Sequence, residues 1–166
     1  MIKGNIDLQQ FDDFHLKLDY EIPPQSTVGF NYCYPNDADR YLHENITAHI
    51  ARQLPNEVED YLHNYFDSLS DIKMSVQKML PGMILPYHRD KYGYFLQQNP
   101  GLQTSDIQRI IVFLDKWMPG HISEIAGDPH TNWNKGDWIT WFGSTEHMAA
   151  NLGVHDRYTL QITGIK

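Results

Sequence analysis

The sequence predicts a mainly β fold: a jelly-roll core with two N-terminal helices packed against it. Three observations carry this expectation. Helical periodicity is confined to the residues before Ser70. Short strands separated by turn residues fill the rest of the chain. The length of 166 residues, 41% hydrophobic and 20% charged, suits one globular domain with a sizeable core. Residues 1–166 are therefore expected to form a single domain, with a mixed, helix-bearing region over 1–70 and the β core over 71–166.

The opening stretch, to about Cys33, mixes short apolar pieces with Pro23-Pro24 and reads as irregular or edge-strand structure. Leu42, Ile46, Ile50 and Leu54 then recur every four residues. With Asn36 or Asp37 as N-cap, they predict a first helix that Pro55 stops. Asn56 can cap a second, whose buried face is Val58, Tyr61, Leu62, Tyr65 and Leu69. Beyond Ser70, Ile72, Met74 and Val76 alternate with Lys73, Ser75 and Gln77, the period of a half-buried strand. Pro81-Gly82 turns the chain, and Ile84 to His88 looks extended. Ile110 to Leu114 is a short apolar strand, and Lys135-Gly136 opens another from Asp137 to Phe142. Arg157 to Ile165 closes the series. The segments Lys91 to Asp106 and Lys116 to Asn134 are left as long loops, which in compact domains commonly carry function.

Bulk properties exclude several classes of function. The net charge is −8, from 13 Lys and Arg against 21 Asp and Glu, and no basic run is present. A polyanion gains no general attraction to such a chain, which argues against nucleic acid as a partner. No apolar run is long enough to span a membrane, and residues 1–10 have no secretory h-region. Cys33 is the only cysteine, so a reducing, cytoplasmic setting is expected, with Cys33 a small buried hydrophobe rather than a nucleophile. The sequence is silent on oligomeric state.

Chemistry enters at His88-Arg89-Asp90. With nine histidines in the chain, roughly one His-x-Asp triplet is expected by chance. Its place on an extended segment adds weight, because residues two apart point to one side and can grip one ion. His147, beyond the strand ending at Phe142, offers a second imidazole. Two histidines and a carboxylate are the ligand types of a non-haem iron(II) site with open positions. In the last strand Arg157, Thr159, Gln161 and Thr163 share one face, and Tyr158, Leu160 and Ile162 the other. The polar face suits either solvent or a hollow barrel that offers a guanidinium fork to a dicarboxylate.

His88-x-Asp90, His147 and, ten residues on, Arg157 together resemble the Fe(II)- and 2-oxoglutarate-dependent oxygenases, most closely their aspartyl/asparaginyl β-hydroxylase branch. The likeness runs from about Ser75 to Gly164. It includes Pro81-Gly82, Arg109 before an apolar strand, Trp133-Asn134-Lys135-Gly136 and Glu146-His147. The resemblance implies a double-stranded β-helix, cupin-like core and a dioxygenase. Such an enzyme would hydroxylate a C–H of a peptide residue or small molecule, consuming 2-oxoglutarate and dioxygen and releasing succinate and CO2. It further implies that His88, Asp90 and His147 are the catalytic iron ligands and that Arg157 pairs with the distal carboxylate of 2-oxoglutarate. Thr159 would add a hydrogen bond, and Arg109 would lie near the C1 carboxylate. Two departures stand out. Asp90 replaces the glycine of the hydroxylase that names the branch, and Gln77 replaces a small hydroxyl residue that contacts the co-substrate. Tyr92, Tyr94, His121, His130 and Trp133 are candidates for the substrate wall, whereas Trp138 and Trp141 are assigned to the core. Two alternatives remain: a cupin-like metal isomerase or dioxygenase working without 2-oxoglutarate, and a non-catalytic binding module. The chain has no His-x-His pair of the kind the first usually shows.

Overall fold

The computed structural model describes residues 3–24, 33–34 and 36–166, apart from the side chain of Tyr41. Among the described residues, ten strands form two antiparallel sheets. The larger contains, in spatial order, β1 (Gly4–Asn5), β8 (Asp137–Phe142), β5 (Ile107–Phe113), β10 (Arg157–Ile165), β3 (Ser70–Met79) and β2 (His49–Ala51). The smaller contains β4 (Ile84–His88), β9 (His147–Asn151), β6 (His121–Ile125) and β7 (Asp128–His130). From β3 to β10 the chain passes back and forth between the sheets, pausing only at the β6–β7 hairpin. Pairs of strands thus wind together into a double-stranded β-helix, a jelly roll with a hollow between its sheets.

The main core lies outside that hollow. Val76, Ile110, Val112, Leu160 and Ile162 make the outer face of the larger sheet. Helix α1 (Asn56–Tyr65) covers it with Val58 and Leu62, and the N-terminal segment adds Ile6, Leu8 and Phe14. Glu57 and Glu59 sit in the first turn of α1, where negative charge complements the helix dipole. A second cluster, with Ile111, Phe113, Trp133, Ile139 and Trp141, belongs to the inner face.

The helix expected over residues 42–54 does not form. Ala38–Tyr41 is a short 3-10 turn, and Ile50 lies in β2, paired with Gln77 of β3 and bridged to Glu21. A four-residue spacing suits both helix and strand periods, and the edge of β3 offers a run of backbone groups that a strand satisfies and a helix does not. The segment 116–134, expected as a loop, contains β6 and β7. Their tight turn, Ala126-Gly127, has φ of 52° and 83°, the left-handed pair of a two-residue hairpin. The segment 91–106 holds a short helix, α2 (Gly93–Gln98). Among the described residues, no helix is long and apolar enough to cross a membrane.

Leu160 is fully buried at the centre of the outer core. Leu160→Ala should cost about 2–5 kcal/mol of unfolding free energy by urea denaturation. Val154→Ala, at a position 82% exposed, should change it by no more than about 0.5 kcal/mol.

Candidate metal centre

Strand pairing sets the two histidines opposite each other. β4 and β9 match Ile84 to Ala150 and Leu85 to Ala149, then His88 to His147. Three steps on β4 thus meet two on β9, which is a one-residue bulge. Pro86 lies inside it; it has no N–H to give a ladder, and β4 is an edge strand where that is tolerated. The imidazole centroids end 4.2 Å apart.

Both rings are held by the same device. His88 Nδ1 lies 2.8 Å from the Pro86 carbonyl, and His147 Nδ1 lies 2.8 Å from the Thr145 carbonyl. A carbonyl only accepts, so each Nδ1 carries a proton, which leaves Nε2 as the ring nitrogen that can ligate a metal. Asp90 completes the group, its Oδ2 3.8 Å from His147 Nε2. One ligand atom from each of the three residues lies within 4.8 Å of the others, close enough for one ion after slight adjustment. Arg89, between two ligands, reaches outward to Glu146 at 3.5 Å.

Asp90 is fixed from two directions. Arg109 Nη2 donates to its Oδ2 at 2.7 Å, and Ser144 Oγ donates to its backbone carbonyl at 2.8 Å. Arg109 is itself anchored by donating to Thr163 Oγ1 on β10. Burial acts to raise the Asp90 pKa, but the Arg109 guanidinium and both histidines outweigh it and hold the carboxyl below its usual range. Burial, then the nearby His88, pushes His147 down to about 4. At neutral pH the site therefore presents a carboxylate and a neutral imidazole, the protonation states that bind metal.

A cavity of about 380 Å³ opens beside these groups, between the sheets. Gln77, Arg157, Thr159 and Gln161 supply its polar lining, and Ile50, Ile111, Ile139 and Trp141 its apolar walls. Arg157 is 3% exposed, and burial lowers its pKa to about 10. It donates to Ser123 Oγ and, at 3.4 Å, to Met79 Sδ, while its guanidinium lies 5.6 Å from the Trp133 ring centroid. Its Nε has no hydrogen bond, and no carboxylate among the described residues pairs with it.

No family model matches the chain, and no curated protein matches it. Solved structures do. A predicted oxalate decarboxylase from Thermotoga maritima superposes with a TM-score of 0.51, over 91% of this chain and 96% of its own, at 14% identity. This chain has the cupin fold. A cupin domain from Bordetella pertussis also matches, at 18% identity and a TM-score of 0.38 over 57% of this chain and 81% of its own. So does a double-stranded β-helix protein from Klebsiella pneumoniae, at 14% identity and a TM-score of 0.41 over 58% and 69%. At such identities the likeness concerns the fold alone.

Within this cupin barrel His88, Asp90 and His147 come together as the sequence suggests, and Arg157, Thr159 and Gln77 line the adjoining cavity. The Gln77 amide is engaged by donating to Gln161 Oε1 at 2.8 Å. Arg109 sits beside the triad, on Asp90. It stands behind Asp90, lining a neighbouring cavity of about 680 Å³ rather than this one. The residues suggested for the substrate wall fall in several places. Tyr92 is buried with its hydroxyl on the Gly143 carbonyl, and it lines the neighbouring cavity together with Tyr94. His121 and His130 are buried away from both cavities. Trp133 stacks on Phe113 at 3.9 Å and backs Arg157. Trp141, assigned to the core, is buried in the second core cluster and also lines the cavity, its ring 4.7 Å from that of His147. Ser123, which holds Arg157, was out of reach because its strand was expected as loop.

The depressed His147 pKa has a sign that can be measured. Between pH 6.5 and about 4 the unfolded chain binds a proton at His147 that the folded chain refuses, so stability must fall as pH falls through that window. The Asp90 shift acts in the same direction below its unfolded pKa of 3.8. Metal-free protein should lose up to about 3 kcal/mol from His147 alone across that window. His147→Gln should flatten the curve of melting temperature against pH.

Proposed function

We propose that the chain is an Fe(II)- and 2-oxoglutarate-dependent dioxygenase that hydroxylates a C–H of a peptide residue or small molecule. The observation that carries this reading is Arg157: a buried cation without a counter-ion among the described residues, lining the same cavity as two imidazoles and a carboxylate. An unpaired buried charge is costly, and an anionic ligand entering the cavity would offset it. A dicarboxylate satisfies both ends, one carboxylate at the metal side and the other on the guanidinium fork.

The donor set fits iron(II). Neutral imidazoles and a carboxylate suit this metal, and three donors leave other coordination positions free. When bound, iron with 2-oxoglutarate and dioxygen supplies the oxidising chemistry. The protein's own part is holding and shielding. His88, Asp90 and His147 would bind the metal, with Arg109 keeping Asp90 ionised and aimed. Arg157, steadied by Ser123 and Trp133, would orient the co-substrate, and Thr159 would offer it a hydroxyl. Ile111, Ile139 and Trp141 would exclude water from the reacting region.

A second reading keeps the metal but not 2-oxoglutarate. The Thermotoga neighbour is described as a predicted oxalate decarboxylase. A small dicarboxylate used directly as substrate would meet the same triad and the same Arg157.

Anaerobic addition of iron(II) and then 2-oxoglutarate separates the two readings. A visible metal-to-ligand charge-transfer band is expected, absent in His147→Ala. Arg157→Met should keep iron binding but weaken 2-oxoglutarate roughly 10- to 100-fold, the loss of a charge-assisted pair of about 1.5–3 kcal/mol. Iron binding without a band would favour the second reading. Failure to bind iron would remove both.

A further inference from the structure

We propose that His15, Asp115 and Asp13 form a second divalent-cation site, on the outer side of the larger sheet. His15 and Asp13 belong to the turn around the 3-10 helix Phe14–Lys17, and Asp115 lies two residues beyond β5. The inference does not depend on the proposed function, because none of these residues touches the barrel cavity.

The observation that points to a ligand is the His15 ring. It is 1% exposed, packed 4.9 Å from the Tyr158 ring, and its Nε2 makes no hydrogen bond. A buried ring nitrogen left without water or partner is costly. That nitrogen nonetheless lies 3.2 Å from Asp115 Oδ1. At that separation a donor and acceptor would normally be aligned, and here they are not. Two donors on one ion behave differently: with bonds of about 2.0–2.2 Å to a tetrahedral ion, they stand about 3.3 Å apart and off each other's axis. An Asp13 carboxylate oxygen completes the trio, all three ligand atoms lying within 4.8 Å.

The two carboxylates are held differently. Lys135 Nζ holds Asp13 Oδ1 at 2.9 Å, neutralising one of the two carboxylates. Asp115 Oδ1 instead faces the buried imidazole. One imidazole with two carboxylates suits zinc(II) or manganese(II) rather than calcium or magnesium. Asp13 and Asp115 are 58% and 40% exposed, so an ion can enter from solvent and keep water ligands. The consequence is mechanical. The ion would staple the N-terminal turn to the end of β5 and, through the His15–Tyr158 contact, to the strand that carries Arg157.

The test uses zinc alone on tag-free protein, in a His88→Ala/His147→Ala background that disables the barrel site. Calorimetry should show one zinc per chain. Asp115→Asn in that background should abolish uptake, Asp13→Asn should weaken it at least tenfold, and zinc should raise the melting temperature only where Asp115 is intact. If the background variant does not fold, stoichiometry in the otherwise native chain decides: two zinc ions per chain, falling to one with Asp115→Asn. No zinc in the background variant, or binding unchanged by Asp115→Asn, overturns the proposal.

Discussion

The two-sidedness of β10 is the constraint on which the rest of the molecule depends. The strand lies between β5 and β3, so its backbone is paired along both edges and its side chains have only two directions to take. Tyr158, Leu160 and Ile162 enter the core beneath α1. Arg157, Thr159, Gln161 and Thr163 turn into the barrel. A slip of one residue would exchange the two sets, placing a guanidinium in the hydrocarbon core and leucine in the cavity. Register is therefore fixed by opposing demands at once, and the core that stabilises the fold also aims the polar groups of the site.

The triad depends on that strand at one remove. Thr163 accepts from Arg109, Arg109 donates to Asp90, and Asp90 stands beside His147. The histidines need no such chain, since each is oriented by a carbonyl two residues back in its own segment. What they need is alignment across two strands, and the bulge at Pro86 provides it. Without the extra residue, the pairing of Leu85 with Ala149 would bring Tyr87 rather than His88 opposite His147.

Much of this was legible in the residues. The alternation in β3 and β10, the turns at Pro81-Gly82 and Lys135-Gly136, and the His88-x-Asp90 spacing all report local geometry that tertiary structure leaves intact. What was not legible depends on partners. The four-residue spacing of Leu42, Ile46, Ile50 and Leu54 satisfies two periods, and only the open edge of β3 decides between them. The β6–β7 hairpin was hidden because Ala126 takes the left-handed position where asparagine usually advertises such a turn. With that hairpin unseen, Ser123 could not be connected to Arg157. Trp141 shows a third limit: burial against the core and burial against a cavity look alike in a strand pattern.

The electrostatics of the barrel give the strongest argument about what it was shaped to receive. Asp90 and Arg109 neutralise each other, so the carboxylate contributes a ligand without leaving the site negative. His147 is kept neutral by burial. A divalent ion held there would bring its full double charge, and Arg157 would add another in the same water-poor cavity. Three positive charges with no counter-ion are untenable in a low dielectric. A dianion of modest size, with its two carboxylates far enough apart to meet the metal and the guanidinium separately, removes most of that excess in one binding event. A neutral ligand removes none of it, and a monoanion can meet only one end. Metal and dicarboxylate would thus be mutually supporting occupants, and the proposal rests on Arg157 as much as on the triad.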